Sequence, residues 1–228
     1  MFRTLVGLSL LWAQIESPKG FVGGLIGAAA PIGPMQGSTR TYPTHGYAQP
    51  GFCFGLQGQI FLMPYLSLSA SVSQRFLSLN ADELEENFRL FPQETDIDKN
   101  PGISHTAFGL GIGTGVKVDW VSLYVPLQIA IGLYAAPEIE GRRGPAEWWT
   151  QSRFSTLQAG VLTGFIANFE VSEKVSVGVA LLFGSLRSGE QEFRRERYNR
   201  GTIDRIYSYR SGVPTDLAEA GLVLGVFL

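Results

Sequence analysis

The chain holds one cysteine, Cys53, and two histidines, His45 and His105, among 228 residues. A lone cysteine beyond the N-terminal region excludes a disulfide framework and a lipoprotein anchor. Two separated histidines and one cysteine make no metal-ligand cluster, so neither metal nor cofactor is expected. Charged residues are sparse at 17%, and 18 Lys and Arg against 20 Asp and Glu leave a net charge of −2. That balance excludes the basic surface of a nucleic-acid-binding protein and the charge density of a disordered chain. No stretch approaches the ~20 apolar residues of a membrane-spanning helix.

What the sequence does have is glycine, 28 residues of it, and alternation. In "YLSLSASVSQRF", Leu66, Leu68, Ala70, Val72 and Phe76 share one parity, and Tyr65, Ser67, Ser69, Ser71, Ser73 and Arg75 share the other. A period of two puts successive side chains on opposite faces of a strand. The rhythm recurs near Lys19–Ala30, Gly51–Leu62, Tyr65–Ser78, Ile103–Val118, Val121–Tyr134, Phe154–Glu170, Lys174–Leu186 and Thr215–Leu228. In the fifth of these, Val121, Leu123, Val125, Leu127, Ile129, Ile131 and Leu133 oppose Ser122, Tyr124, Gln128 and Gly132. In the first, the Gly- and Ala-rich composition leaves the facing open.

Connections alternate as well. "MPY", "VDW" and "VSEK" are short, whereas the links near 31–50, 79–102, 135–153 and 187–214 are long. Short turns at one end and long polar loops at the other describe an antiparallel up-and-down meander with both termini at the short-turn end. A soluble barrel would set its apolar parity inside and carry many charges outside. Here the polar parity is mostly Gly and Ser, which suits the crowded interior of a narrow barrel. The apolar parity carries bulky residues and suits lipid. The expected fold is therefore all-β: an eight-stranded antiparallel up-and-down transmembrane β-barrel. Phe61, Tyr65, Trp120 and Phe169 would form an aromatic belt at one end. Phe76, Phe108, Tyr134, Trp148, Trp149, Phe154 and Phe183 would form the other.

Residues 1–14, "MFRTLVGLSLLWAQ", read as an export signal. Arg3 supplies the charged start, Leu5–Trp12 the apolar stretch and Ala13 the cleavage end. Residues 15–228 then form one barrel domain in the bacterial outer membrane, with periplasmic termini and extracellular long loops.

On these features the chain resembles the small eight-stranded outer-membrane barrels, such as the transmembrane domain of outer membrane protein A and the PorT-like barrels of Bacteroidota. The C-terminal "AGLVLGVFL" is similar to the terminal-strand signal of that class, although Phe227 is penultimate and Leu228 last. "WAQ" at the cleavage site is similar to Bacteroidota signal peptides.

Chemistry has few places to sit. A barrel that deacylates lipid A would need a His with a Ser two residues on, but His105 is followed by Thr106 and Ala107. No enzyme is expected, and His105 reads as an ordinary interfacial histidine. Arg75, Lys117, Glu170, Lys174 and Glu219 fall on the polar parity, where they would plug a closed lumen as ion pairs or, alternatively, line a narrow channel. The 187–214 link is rich in Arg interleaved with Tyr. Arg194, Arg195, Arg197, Arg200, Arg205, Tyr207 and Tyr209 form a candidate recognition surface, because Arg forks bind phosphate and carboxylate bidentately. The 79–102 link is acidic, with Asp82, Glu83, Glu85, Glu86, Glu94, Asp96 and Asp98. The function expected is a structural or interaction barrel of the envelope. Outer-membrane lipid, lipopolysaccharide or an envelope protein would be its partner, with a narrow ion or solute channel as the alternative.

Overall fold

A computed structural model describes residues 15–16, 18–35, 48–80, 95–97, 102–143 and 146–228. Residues 1–14, read above as an export signal, His45 and most of the acidic link lie outside the described residues. The strands are β1 (Ile15–Glu16), β2 (Phe21–Pro31), β3 (Ala48–Met63), β4 (Leu66–Leu79), β5 (Thr95–Ile97) and β6 (Gly102–Val118). They continue with β7 (Val121–Ala136), β8 (Ile139–Arg143), β9 (Glu147–Gln151), β10 (Phe154–Glu170), β11 (Val175–Asn199) and β12 (Thr202–Phe227). Eight of them pair antiparallel in the order β2-β3-β4-β6-β7-β10-β11-β12, and β12 returns to β2. The ring is closed. It is an eight-stranded up-and-down transmembrane barrel, crossing with strands rather than helices.

The wall faces the way the alternation requires. On β7 the outward residues include Leu127, Ile129 and Ile131, at 52%, 75% and 59% exposure. Its inward Tyr124, Gln128, Ala130 and Tyr134 are buried. At about 3.3 Å per residue and a tilt near 40°, the outward set from Val121 to Leu133 spans roughly 30 Å, the thickness of a hydrocarbon core. The first wall strand, open in the sequence, turns Val22 and Ile26 outward and Phe21, Leu25 and Ala29 inward.

Turn chemistry fixes the short end. Tyr65 and Asp119 adopt left-handed φ of 75° and 53° in the β3–β4 and β6–β7 turns. Below them, β1 pairs with β6 at Val118 and Lys117. The chain then runs past Gly115, where a Cβ would lie 3.0 Å from Pro18 Cγ, to reach β2.

The long end differs from expectation. The 187–214 link is not a loop. Strands β11 and β12 run on beyond the wall as a ribbon to the two-residue turn Arg200–Gly201, with φ of 48° and 84°. Such paired positive φ values match the right-handed strand twist of a tight hairpin. The 135–153 link folds back as the β8–β9 hairpin, and β9 pairs with β11 over Arg195–Asn199. With β5 added to β8, a small sheet β5-β8-β9-β11-β12 stands outside the barrel wall. The aromatic belts also differ in part. Phe76, Phe108 and Phe183 face outward, joined by Phe52 and Phe54, but Tyr134 is buried inside and Phe154 packs on the core. Trp148 and Trp149 belong to the extramural sheet.

Candidate functional site

The lumen is filled in layers. At the short-turn end Phe21, Leu25, Tyr124, Ile166, Val223 and Phe227 form an apolar plug against which Phe61 and Leu182 pack. Tyr124 donates its hydroxyl proton to the Lys19 carbonyl at 3.0 Å, tying the N-terminal segment to this plug. At the other end Met35, Leu77, Ile103, Tyr134, Ile139 and Phe193 belong to a second apolar cluster. Between the plugs lies a polar layer.

Its centre is Arg75, 1% exposed, against Glu219, 2% exposed. Arg75 Nε donates to Glu219 Oε1 at 2.7 Å, and Nη2 contacts the same oxygen. Arg75 Nη1 lies 2.8 Å from His105 Nδ1. Arg can only donate, so Nδ1 accepts and the ring proton sits on Nε2, which faces Gln158 Oε1 at 3.1 Å. Gln158 Nε2 then donates to the Val213 carbonyl and to Thr215 Oγ1 at 2.9 and 2.8 Å. Cys53, buried, is paired in register with Arg75. A buried charge needs a partner and further hydrogen bonds, and this chain across β4, β6, β10 and β12 supplies them to Arg75, while Glu219 Oε2 is buried without a hydrogen-bond partner.

A second set fills the shallow wall. Ser69, Ser71 and Ser67 sit opposite Gly111, Gly109 and Gly113. Gln128 leans into the space the glycines leave, accepting from Ser71 at 2.6 Å and bonding Ser69 at 2.6 Å. A Cβ on Gly109 would stand 2.4 Å from Gln128 Oε1 and 2.8 Å from Ser71 Oγ, so a side chain there would displace the Gln128 amide from its present hydrogen bonds. What space remains near Arg75, Gln128 and Glu219 is about 20 Å³, room for about one water molecule.

Two sequence readings change here. His105 is fully buried in the lumen and is not interfacial. Its odd position on β6 sets it inward with the glycines, a parity visible in the sequence. Lys174 does not line the lumen. It lies exposed in the turn before β11, while Lys117 pairs with Glu170 at 2.8 Å near the short-turn end.

The arginines divide by face, because register fixes which side chains share a side of the sheet. Arg195 opposes Tyr207, Arg197 opposes Arg205, and Trp149 and Gln151 on β9 pair with Arg197 and Arg195. This face continues the buried Phe193 and Gln151, so it overhangs the barrel mouth. On it the Arg195 guanidinium lies 5.2 Å from the Trp149 ring centre. Arg197 reaches Glu147 at 3.2 Å and Asp204 at 3.7 Å. Arg205 is tied to Tyr207. Arg194 sits on the opposite face, and Arg200 occupies the exposed turn with its N–H on the Ala146 carbonyl at 2.8 Å. Tyr209 pairs in register with Phe193; its side chain lies outside the described ones.

The opposite face carries a pair that sequence reasoning missed. Trp148 and Tyr198 stack at 5.1 Å with planes 7° apart. The Tyr198 hydroxyl donates to Glu196 Oε2 at 2.5 Å, and Arg194 reaches Glu196 Oε1 at 2.6 Å. The hydrogen bond from Tyr198 does most to hold the Glu196 carboxyl below its ordinary 4.5; burial opposes it and Arg194 adds to it. A depressed carboxyl stabilises above its unfolded value and lets go as pH falls through the folded one. Tryptophan fluorescence from this stack should therefore change with falling pH with a midpoint below 4.5. Tyr198→Phe should move that change up towards 4.5.

No protein-family model and no curated protein sequence matches the chain. Among solved structures, the chain is similar to a major outer membrane protein from Thermus thermophilus, with 10% identity, TM-score 0.48 and coverage of 91% of this chain and 99% of that one. It is also similar to Neisserial surface protein A, with 10% identity, TM-score 0.42 and coverage of 94% and 97%. The attachment invasion locus protein Ail of Yersinia pestis gives 10%, 0.39, and 93% and 98%. At these scores the likenesses carry no functional argument, and the barrel rests on its own strand register.

Proposed function

We propose that this chain is a non-enzymatic outer-membrane protein whose barrel is a closed anchor and whose work is done by the extramural sheet. The termini are periplasmic, the sheet is extracellular, and it binds an envelope partner protein or lipopolysaccharide. The observation that carries this reading is the contrast between the two regions. The lumen is shut by an apolar plug at each end with its Arg75–Glu219 charges neutralised between them. The sheet instead displays Arg195, Arg197, Arg205, Trp149 and Tyr207 together on one face. Arg, Trp and Tyr are the side chains that most often anchor an interface, and Arg forks also suit phosphate. A lipid-modifying enzyme finds no support, since the one described histidine is used up inside the lumen by Arg75 and Gln158.

The channel alternative makes an opposite prediction. Purified barrel in planar bilayers should give no discrete conductance steps, because no continuous aqueous path remains. Regular steps in the wild-type protein would overturn the closed-anchor reading. Gentle extraction from native membranes followed by mass analysis tests the interaction half. A stoichiometric partner lost in the Arg195→Glu, Arg197→Glu, Arg205→Glu variant, and retained in Arg194→Glu, supports the mouth-facing surface. Loss in neither removes it.

A further inference from the structure

Strand β12 changes its circumstances along its length. From Leu217 to Phe227 it pairs with β11 on one side and β2 on the other. Strand β2 stops at Pro31, opposite Leu217. From Thr202 to Gly212, β12 pairs with β11 alone among the described residues. Backbone donors and acceptors of a strand point alternately to its two sides, so this length presents a row of groups along one edge that no described strand pairs.

Proteins usually blunt such an edge with proline, brevity or lysine. Residues 202–213, "TIDRIYSYRSGV", contain no proline and no lysine, and Thr, Ile and Tyr favour the extended chain. Ile203, Ile206 and Tyr207 stand 49%, 51% and 42% exposed. Arg205 and Arg210 outweigh Asp204 along this strand; Arg210 reaches Glu192 at 3.9 Å and Asp204 is met by Arg197 at 3.7 Å, which leaves Arg205 as the cation that gives the edge its sign.

The far edge of the same sheet indicates what a cationic edge accepts. There β5, three residues from a stretch whose sequence carries Glu94, Asp96 and Asp98, adds antiparallel to β8. Its register sets Thr95 opposite Arg143 and Asp96 opposite Arg142. A short acidic strand is thus already held against arginines by main-chain pairing.

We infer that the free β12 edge receives a second acidic strand from outside the chain: an extended segment of a partner protein, rich in Asp and Glu, added by β-augmentation along Thr202–Gly212. Main-chain hydrogen bonds supply the affinity, and Arg205 and Arg210 select for carboxylates. This rests on the reading that the sheet is the interaction surface, and it names the edge and the chemistry of the partner.

The test uses the full barrel in nanodiscs and a fluorophore-labelled synthetic peptide, Gln-Glu-Thr-Asp-Ile-Asp-Lys, with anisotropy as the readout. The peptide should bind, and Arg205→Glu with Arg210→Glu should weaken it by about tenfold. The variant's folding is checked by its mobility on unboiled gels. Two further peptides carry N-methyl groups on alternate residues in opposite phases. A strand added to an edge loses binding in one phase and keeps it in the other, because only alternate N–H groups face β12. Equal loss in both phases, no effect of the arginine reversals, or no binding would overturn the inference. A dimer seen by native mass spectrometry without peptide would give the edge to a second copy and overturn it too. None of these outcomes touches the closed-anchor reading, which stands or falls on conductance and co-purification.

Discussion

Leu127→Arg should lower the stability of the assembled barrel by about 2–4 kcal/mol. Leu127 lies near the middle of the outward band on β7, between Val125 and Ile129, and is 52% exposed. A cation at the bilayer midplane on the lipid-facing wall of a barrel costs about 2–4 kcal/mol. That is a large share of the roughly 5–15 kcal/mol by which a folded domain exceeds its unfolded state. Leu127→Ala separates charge from lost contact: it removes the side chain but buries no charge, and it should assemble close to normally. The measurement is the folded fraction on unboiled gels across a urea series in lipid vesicles. If Leu127→Arg folds as well as Leu127→Ala, this wall does not face hydrocarbon.

The parity that makes Leu127 outward was legible because one face of each wall strand meets lipid and the other meets neighbours. Where both conditions held, as on β4, β6 and β7, alternation specified strand, facing and ends together. It failed where the conditions failed. Beyond Arg187 only Phe193 and Val213 are buried among the described side chains up to residue 213, so apolar alternation disappears although the backbone stays extended. A bulge between Arg187 and Glu190 also shifts the parity, which hides what periodicity is left. The signals present there were local: Ile203, Ile206, Tyr207 and Tyr209 favour strands, and Arg200–Gly201 closes a two-residue turn. The division of arginines by face depends on cross-strand register, as does the stacking of Trp148 on Tyr198. Neither pairing is local, so composition of the link could not reveal them. Inside the barrel, Arg75, Glu219, Lys117 and Glu170 were legible from parity alone. The partners that satisfy Arg75, namely His105 and through it Gln158, became visible only when the ring closed.

That closure yields the last large effect expected. Arg75 and Glu219 are 144 residues apart in sequence, on strands β4 and β12 that are not neighbours in the ring. Both are almost wholly removed from solvent. Arg75→Met leaves the Glu219 carboxylate facing the apolar clusters with no cation. Removing one member of a buried pair costs about 3–5 kcal/mol, since the remaining charge keeps its desolvation penalty without its attraction. Glu219→Leu leaves the mirror problem, softened because Arg75 keeps His105 as an acceptor. Its loss should therefore be the smaller of the two. Arg75→Met combined with Glu219→Leu removes both charges and should recover most of the stability, because an apolar pair of similar volume can replace a buried ion pair at little net cost. Urea unfolding in lipid vesicles, read as a double-mutant cycle, measures the coupling. Additive losses would mean that hydrated charges sit independently in the lumen. The apolar clusters above and below them would then be admitting water, and the barrel would have to be regarded as open.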